Sequence, residues 1–317
     1  MQTKELTKGA LLAALTALFA LSFIYLPLFS VFGMFLGVCT VAVLLTYVQS
    51  VKISVVALVV SMILTAMFSN LQTMLFSGFL MIVLPGTAIG VCFRKQTSFA
   101  VMIIVGSMAY LFAMIGTFML SKWLYGMDLI AEFQTILEQT MKEWISVMES
   151  VPELADSKGA DEMLRLLPSL MNTMTMMIPS AFLLASGILS LGCVLLSRSV
   201  LCRLKQSFSY LPSFSQIHVS KTFAYGYLIL MVAQILLAQN SSVYFMLYNV
   251  SALLSGVLFI GGLSLIKYFI NKTKMPKGVS LLVFCIILPF VFLLFQIISL
   301  VGMIDALWDF RTPKSFQ

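Results

Sequence analysis

Long stretches without any charged residue divide this chain of 317 residues. They contain 43, 41, 26, 32, 45 and 27 residues and lie between Lys8 and Lys52, Lys52 and Arg94, Lys95 and Lys122, Arg165 and Arg198, Lys221 and Lys267, and Lys277 and Asp305. A helix rises about 1.5 Å per residue and a bilayer core is about 30 Å thick, so about 20 residues cross it. The three longest stretches each allow two crossings and the other three allow one, which predicts about nine transmembrane helices.

The composition also indicates a membrane protein. Hydrophobic residues make up 61% of the chain and charged residues 10%, whereas a soluble domain has about 25% charged residues. A soluble chain with so few charges would expose a large apolar surface to water. The stretches are continuous and do not alternate with a period of two, which favours helices over an outer-membrane barrel. The predicted fold class is all-α, a polytopic transmembrane bundle of about nine helices with an outer helical hairpin insertion.

Polar residues, glycine and proline inside the long stretches mark where one predicted helix ends and the next begins. Pro27 and Gly33 divide the first stretch, Ser69 and Asn70 the second, and residues 239–242 the fifth. The predicted helices cover about 9–29, 32–48, 53–68, 71–93, 99–124, 172–197, 222–238, 243–267 and 279–304. The break at Ser69 and Asn70 is thin, so the sequence leaves open whether the third and fourth helices both cross. Three interior prolines predict kinks: Pro85, Pro179 and Pro289.

The distribution of basic residues predicts a cytoplasmic N-terminus. With that orientation the inner segments contain 13 of the 19 basic residues, and Glu5 is their one acidic residue. The inner basic residues are Lys4, Lys8, Lys52, Arg94, Lys95, Arg198, Arg203, Lys205, Lys221, Lys267, Lys272, Lys274 and Lys277. The outer segment 125–171 contains nine of the 12 acidic residues, and the tail after residue 304 is also placed outside. The first helix has no signal-peptidase pattern after it, which predicts a retained anchor of a multi-pass cell-membrane protein.

Residues 128–151 have the pattern of an amphipathic helix. Apolar side chains recur every three or four residues and glutamates occupy the other faces. A weaker helical stretch at 160–167 completes the predicted outer hairpin. The hairpin either lies on the outer leaflet or covers the bundle as a lid or cap. The acidic faces favour the lid or cap, because helices that lie on membranes are usually rich in lysine and arginine.

The sequence contains no pattern typical of a catalytic or metal site. No charged side chain lies deep in a predicted helix, and no P-loop, HExxH or GxSxG pattern occurs. The five cysteines show no CxxC spacing and none lies in an outer segment, so no disulfide is expected. We therefore expect neither enzyme activity, nor a cofactor, nor a bound metal. The net charge of +7 follows from the inner basic residues, so we expect membrane lipid as a partner and no nucleic acid.

Neutral polar side chains are the remaining candidates for binding a small solute. Gln234, Asn249 and Gln296 lie inside predicted helices, where amides can hydrogen-bond a neutral or zwitterionic ligand. Alternatively, each amide joins two helices by a hydrogen bond, an interaction worth about 0.6 to 2 kcal/mol in membranes.

The first helix carries a stripe of small residues. Ala10 and Ala14 are four apart, as are Ala13 and Ala17, and this spacing lets another helix approach closely. The stripe serves either to dock a partner or to pack within the same bundle. Together with its flanking residues 6–18, it resembles the first helix of the substrate-binding S-components of energy-coupling-factor vitamin transporters. The whole chain resembles the YybS-like family of bacterial membrane proteins, whose function is not known.

This resemblance implies a domain organisation and a function. Residues 1–200 would form a six-helix S-component-like membrane unit with an extracytoplasmic insertion at 126–171. A cytoplasmic basic loop at 201–221 and three additional transmembrane helices in 222–317 would follow. The implied function is a small-solute-binding or transport subunit without its own energy source, docked on a coupling protein through the four alanines of the stripe. The alternatives are a non-transporting scaffold or regulatory protein that engages partners through its cytoplasmic loops, and an autonomous facilitator.

Overall fold

The computed structural model describes residues 2–71, 74–126, 128–150, 176–206, 214–237, 242–272 and 294–311. Every regular element in these ranges is helical. The α-helices are α1 Gln2–Tyr25, α2 Ser30–Tyr47, α3 Val51–Phe68, α4 Leu84–Arg94, α5 Phe99–Tyr125, α6 Leu129–Ser150, α7 Ile178–Arg203, α8 Lys221–Leu236, α9 Ser242–Lys272 and α10 Phe295–Trp308. Short 3-10 turns occupy Pro27–Phe29 and Phe214–Gln216, and a π-helical segment at Met74–Val83 leads directly into α4.

Nine of these helices are apolar, which confirms the predicted fold class. Six are long enough to cross a membrane: Thr3–Tyr25, Pro27–Tyr47, Val51–Phe68, Phe99–Tyr125, Ile178–Arg203 and Val243–Lys272. Three are shorter: Gly78–Arg94, Lys221–Leu236 and Phe295–Trp308. The tenth helix, α6, corresponds to the predicted amphipathic helix at 128–151 and has acidic residues along it; its placement outside the membrane stays a prediction. The second half of the predicted hairpin, at 160–167, lies outside the described residues.

Two of the interior prolines determine where helices begin. Pro85 lies in the first turn of α4, directly after the π-helical segment. Because proline has no backbone N–H, one α-helical hydrogen bond is missing there, and a wider π turn accommodates the gap. Pro179 lies in the first turn of α7, where a missing N–H costs nothing. Pro179 thus fits the start of α7, and the predicted kink stays a prediction because residues 151–175 lie outside the described residues. Pro289 lies outside the described residues.

The chain divides into two compact units. Unit 1 comprises Met1–Ile178 and Ala185–Ser209. Unit 2 comprises Pro179–Leu184 and Tyr210–Gln317 and contains α8, α9 and α10. The division of the sequence at residues 200 and 221, which was taken from the resemblance to S-components, stays a prediction.

Hydrogen bonds gather the basic residues at one end of unit 1. The Glu5 carboxylate accepts a bond from Lys8 Nζ at 2.9 Å and one from the backbone N–H of Gln49 at 2.8 Å. The Arg94 guanidinium donates to the Gln49 carbonyl. These bonds join the start of α1, the end of α2 and the end of α4. We call the segments 4–8, 45–53 and 91–98 the basic end of unit 1; Lys52 belongs to it.

Helix α3 and the π-helical segment with α4 both run between the two ends of unit 1. Gly9 of α1 packs against Ile53 of α3 at the basic end. The Tyr25 hydroxyl donates to the Phe68 carbonyl at the opposite end, so α1 and α3 are parallel. The π-helical segment and α4 return beside α2, and Gly90 packs directly on α2 at the basic end. The short break at Ser69 and Asn70 therefore separates two helical segments that each run the full length of unit 1.

In unit 2, α9 and α10 are parallel and α8 is antiparallel to both. Three successive contacts fix the direction of α10 along α9: Ser299–Ser255, Gly302–Leu258 and Arg311–Gly261. The Ser299 hydroxyl donates to the Ser255 carbonyl at 3.0 Å. A Cβ atom on Gly302 would lie 1.9 Å from the Leu258 carbonyl oxygen, so only glycine permits this approach.

The structure contradicts the prediction that the C-terminal tail and the loop before α8 lie on opposite sides. The helix that contains residue 304 begins at Phe295, after a turn at Leu294; residues 279–293 lie outside the described residues. Because α10 is parallel to α9, Arg311 lies beside the Phe214–Gln216 turn that precedes α8. The tail therefore shares a side with the loop before α8, which the sequence placed inside. The charge-free run up to Asp305 contains no polar break that would reveal where α10 starts.

Candidate functional site

The alanine stripe of α1 is divided between two faces of the helix. Ala13 and Ala17 are 1% and 5% exposed and pack inside unit 1. Ala10 and Ala14 are exposed. Each pair is four residues apart and so forms its own row along the helix surface. The row with Ala13 and Ala17 is buried inside unit 1, where α1 packs against α2 and α3, whereas the row with Ala10 and Ala14 is not. The exposed pair is therefore the part of the stripe that is accessible to another molecule.

An apolar groove runs between α1 and α3 beside this exposed pair. Gly9, Ala10, Ala13 and Ala57 contribute side chains no larger than a methyl group to it. Lys52 lines the groove at the basic end. The groove has a volume of about 280 Å³, below the roughly 300 to 1,000 Å³ of typical small-molecule sites. Its shape and chemistry suit the packing of a helix with small side chains better than the enclosure of a solute.

A cluster of hydroxyl groups lies between α1, α2, α3 and the π-helical segment. Thr16 donates to the Leu12 carbonyl at 2.8 Å and lies 3.1 Å from the Thr40 hydroxyl. Ser61 and Thr65 bond carbonyls of their own helix at 2.7 and 2.8 Å.

Thr16, Ser61 and Thr65 line a cavity of about 10 Å³ together with residues of the π-helical segment. That volume matches one water molecule. Sequence reasoning missed this cluster, whose visible signal is the i, i+4 spacing of Ser61 and Thr65 on α3.

The three amides predicted to line a cavity form separate contacts between helices of unit 2. Gln234 of α8 donates to the Ser251 hydroxyl of α9 at 2.6 Å. Gln296 of α10 donates to the Tyr227 hydroxyl of α8 at 3.1 Å. Asn249 of α9 accepts a bond from the Ser180 backbone N–H at 3.2 Å. Each amide thus bonds a neighbouring helix, and a role for them in binding a solute stays a prediction.

A buried ion pair at the end of α10 was not predicted from the sequence. Asp305 Oδ2 accepts bonds from Arg311 Nε at 3.0 Å and Nη2 at 2.8 Å. The two side chains are 2% and 10% exposed. Arg311 also donates to the carbonyls of Gly261, Ser215 and Ile217 at 3.2, 3.1 and 2.9 Å. The guanidinium therefore ties the loop before α8 to α9 and α10.

Ser264 of α9 completes this network, which we call the Arg311 clamp. Its hydroxyl accepts a bond from Arg311 Nη1 at 2.9 Å and lies 2.7 Å from the Phe214 carbonyl. Asp305 Oδ1 is buried and has no hydrogen-bond partner among the described residues. The sequence showed only an aspartate six positions before an arginine, and this spacing does not by itself predict a pair.

Comparison with known proteins places the chain in a family. The model of the family described as "Predicted membrane protein (DUF2232)" matches residues 14–306. The chain is 25% identical over 314 residues to the "Uncharacterized protein YybS" of Bacillus subtilis (strain 168), and the alignment covers 98% of each chain. No solved structure matches it. The YybS-like resemblance is confirmed, whereas a relation to S-components stays a prediction. Since the family model spans nearly the whole chain, this integral membrane protein belongs to the DUF2232 family of predicted membrane proteins.

Proposed function

We propose that this membrane protein is a small-solute-binding or transport subunit that receives its energy from a partner protein docked on the groove between α1 and α3. The observation that carries the proposal is the exposed pair Ala10 and Ala14 on α1, of which Ala10 lines that groove. Lipid tails are as apolar as leucine, so membrane helices associate mainly where small side chains allow close backbone contact. Gly9 widens the small-residue surface on α1, and Ala57 extends it onto α3.

The hydroxyl cluster of unit 1 supports a neutral polar solute as the cargo. In the described residues of unit 1, no charged side chain is buried, and the buried hydroxyl groups belong to serines, threonines and Tyr110. Hydroxyl groups both donate and accept hydrogen bonds, so they suit a solute without net charge. The neighbouring π-helical segment supports this assignment, because π turns occur frequently at functional sites.

Replacing both exposed alanines tests the docking surface. We expect Ala10→Leu with Ala14→Leu to reduce recovery of a co-purified membrane partner at least about tenfold, since a loss of 1.4 kcal/mol in packing is a factor of ten. The matched control is Ala100→Leu, which enlarges an exposed alanine on α5 outside the groove. Ala13 and Ala17 are unsuitable for this test because they are buried.

The test also separates the alternative function. Retention of the partner in the double leucine variant would contradict docking at α1. If the partner is instead lost when Arg203 and Lys205 become glutamine, a scaffold that works through its cytoplasmic loop is favoured; both side chains are exposed at the end of α7. Native mass spectrometry of the gently purified chain then tests for a retained small solute, and its absence at every detergent condition would count against the cargo assignment.

A further inference from the structure

A second apolar groove lies in unit 1, between α4 and α5. Leu84 and Val91 of α4 and Val101 and Val105 of α5 line it, and Lys95 lies at its end. Its volume is about 460 Å³, within the roughly 300 to 1,000 Å³ of ligand sites. From Leu84 to Lys95 the groove extends roughly 16 Å along the helix axis, about half the thickness of a bilayer core. That length equals the acyl-chain region of a single leaflet.

The end of this groove is positively charged. Lys95 is exposed, and no described residue forms an ion pair or hydrogen bond with its ammonium group. The adjacent Arg94 guanidinium donates to the backbone carbonyls of Leu45 and Gln49, and it forms no ion pair with a described carboxylate. In the described segments of the basic end, Glu5 is the one acidic residue, and it is already paired with Lys8. An anion at the mouth of the groove would therefore meet attractive charges.

We propose that the groove between α4 and α5 holds one acyl chain of an anionic phospholipid and that Lys95 binds the phosphate of its headgroup. The apolar walls suit a hydrocarbon chain, the depth suits one leaflet, and the lysine lies where the headgroup of that lipid would be. A lysine near an anionic membrane surface contributes a favourable interaction of its own. The proposal does not depend on the transport function, because it concerns another groove and another partner.

Native mass spectrometry of the full chain tests the proposal. The protein is exchanged into detergent that contains equal amounts of phosphatidylglycerol and phosphatidylcholine with identical acyl chains. We expect the anionic lipid to be retained preferentially. Lys95→Gln should lower its retention about fivefold, the equivalent of the roughly 1 kcal/mol that one such lysine contributes. Lys52→Gln is the matched control, because it removes the same charge at the same end without touching this groove.

A second pair of variants tests the apolar part of the site. Val101 and Ile104 are both exposed on α5, but only Val101 lines the groove. Val101→Trp should fill the groove and lower retention of both lipids, whereas Ile104→Trp should leave both unchanged.

Several outcomes would overturn the proposal. For the wild-type chain, these are equal retention of the two lipids, displacement of the lipid by millimolar inorganic phosphate, or a second copy of the chain bound in place of lipid. For the variants, they are equal losses of lipid in Lys52→Gln and Lys95→Gln, or full retention of lipid in Val101→Trp. A thermal unfolding scan of each variant establishes that it is folded.

Discussion

At the scale of single residues, the Arg311 clamp contains a buried ion pair between Asp305 and Arg311. Among the described residues, the buried polar side chains are serines, threonines and tyrosines, together with the carboxylate of Asp305. The planar guanidinium distributes its donors over one carboxylate, one hydroxyl and three carbonyls. Arginine suits this role because its five N–H groups point in fixed directions, which lysine cannot reproduce.

Removing one partner of the clamp should destabilise unit 2. Arg311→Gln leaves the Asp305 carboxylate buried without its counter-charge, which typically costs about 3 to 5 kcal/mol. We expect a clearly lower midpoint of thermal unfolding for the protein purified in detergent. The double variant Asp305→Leu with Arg311→Met should recover much of the loss, because it removes both charges together.

An exposed ion pair provides the control for this prediction. Lys122 and Asp128 lie 3.0 Å apart, with side chains 71% and 46% exposed. Such pairs contribute about 0 to 1 kcal/mol, so Lys122→Gln should leave the midpoint nearly unchanged. Equal midpoints for Arg311→Gln and Lys122→Gln would show that the clamp does not stabilise the fold.

At the scale of elements, glycines determine how closely α9 and α10 pack. Gly302 lies on Leu258 and Gly262 lies on Ile298, each backbone against backbone. Without a Cβ atom between them, the two helices come close enough for Ser299 to bond the Ser255 carbonyl. Close backbone contact of this kind is the main source of helix association where no hydrophobic effect acts.

We expect Gly302→Ala to force α9 and α10 apart and to lower the unfolding midpoint. The new Cβ would lie 1.9 Å from the Leu258 carbonyl oxygen and 2.7 Å from the Gly262 nitrogen, and neither backbone atom can move alone. Gly116→Ala on α5 is the control, since its Cβ would meet only the Leu80 side chain at 3.6 Å. That change should be neutral or stabilising by up to about 1 kcal/mol, because alanine is the better helix former. A stable Gly302→Ala variant would contradict the packing described.

The sequence predicts the ends of helices well where a proline or a pair of polar residues marks them. Pro27 starts a turn and α3 ends at Phe68 before the polar pair, both as expected. The start of α10 at Phe295 was missed because its surroundings are uniformly apolar. Periodicity likewise cannot tell which line of the alanine stripe is covered, since Ala13 and Ala14 are chemically identical and only the packing of α2 and α3 distinguishes them.

At the scale of the whole molecule, the direction of α10 determines the side on which the tail lies. Charge counting placed Arg311 opposite the loop before α8, because a single last crossing was assumed. The contacts of Arg311 with Ser215 and Ile217 place both segments on one side. The same-side grouping of Lys8, Lys52 and Arg94 was predictable, because each follows or precedes an unbroken apolar stretch. The absolute orientation, with the N-terminus in the cytoplasm, stays a prediction.

Cysteine labelling tests this arrangement within unit 2. In a background without the native cysteines, we expect Gln216→Cys and Phe310→Cys to share one accessibility to a membrane-impermeant maleimide, and Val243→Cys at the start of α9 to show the opposite. All three positions are exposed. With a cytoplasmic N-terminus, positions 216 and 310 should be protected in intact cells and react after permeabilisation. Labelling of position 310 together with 243 would contradict the parallel arrangement of α9 and α10.

The π-helical segment before Pro85 also provides a route by which unit 1 could change conformation locally. Successive residues of a helix are about 100° apart around the axis. A π-helical segment turns by less than this angle per residue, so tightening Met74–Val83 into regular α-helical winding would rotate its side chains about the axis while α4 stayed in place. Gly78, which borders the water-sized space beside Thr16 and Thr65, would swing away from it. Enlarging that space would then require neither bending α1 nor displacing α3, but only a tighter winding of this one segment.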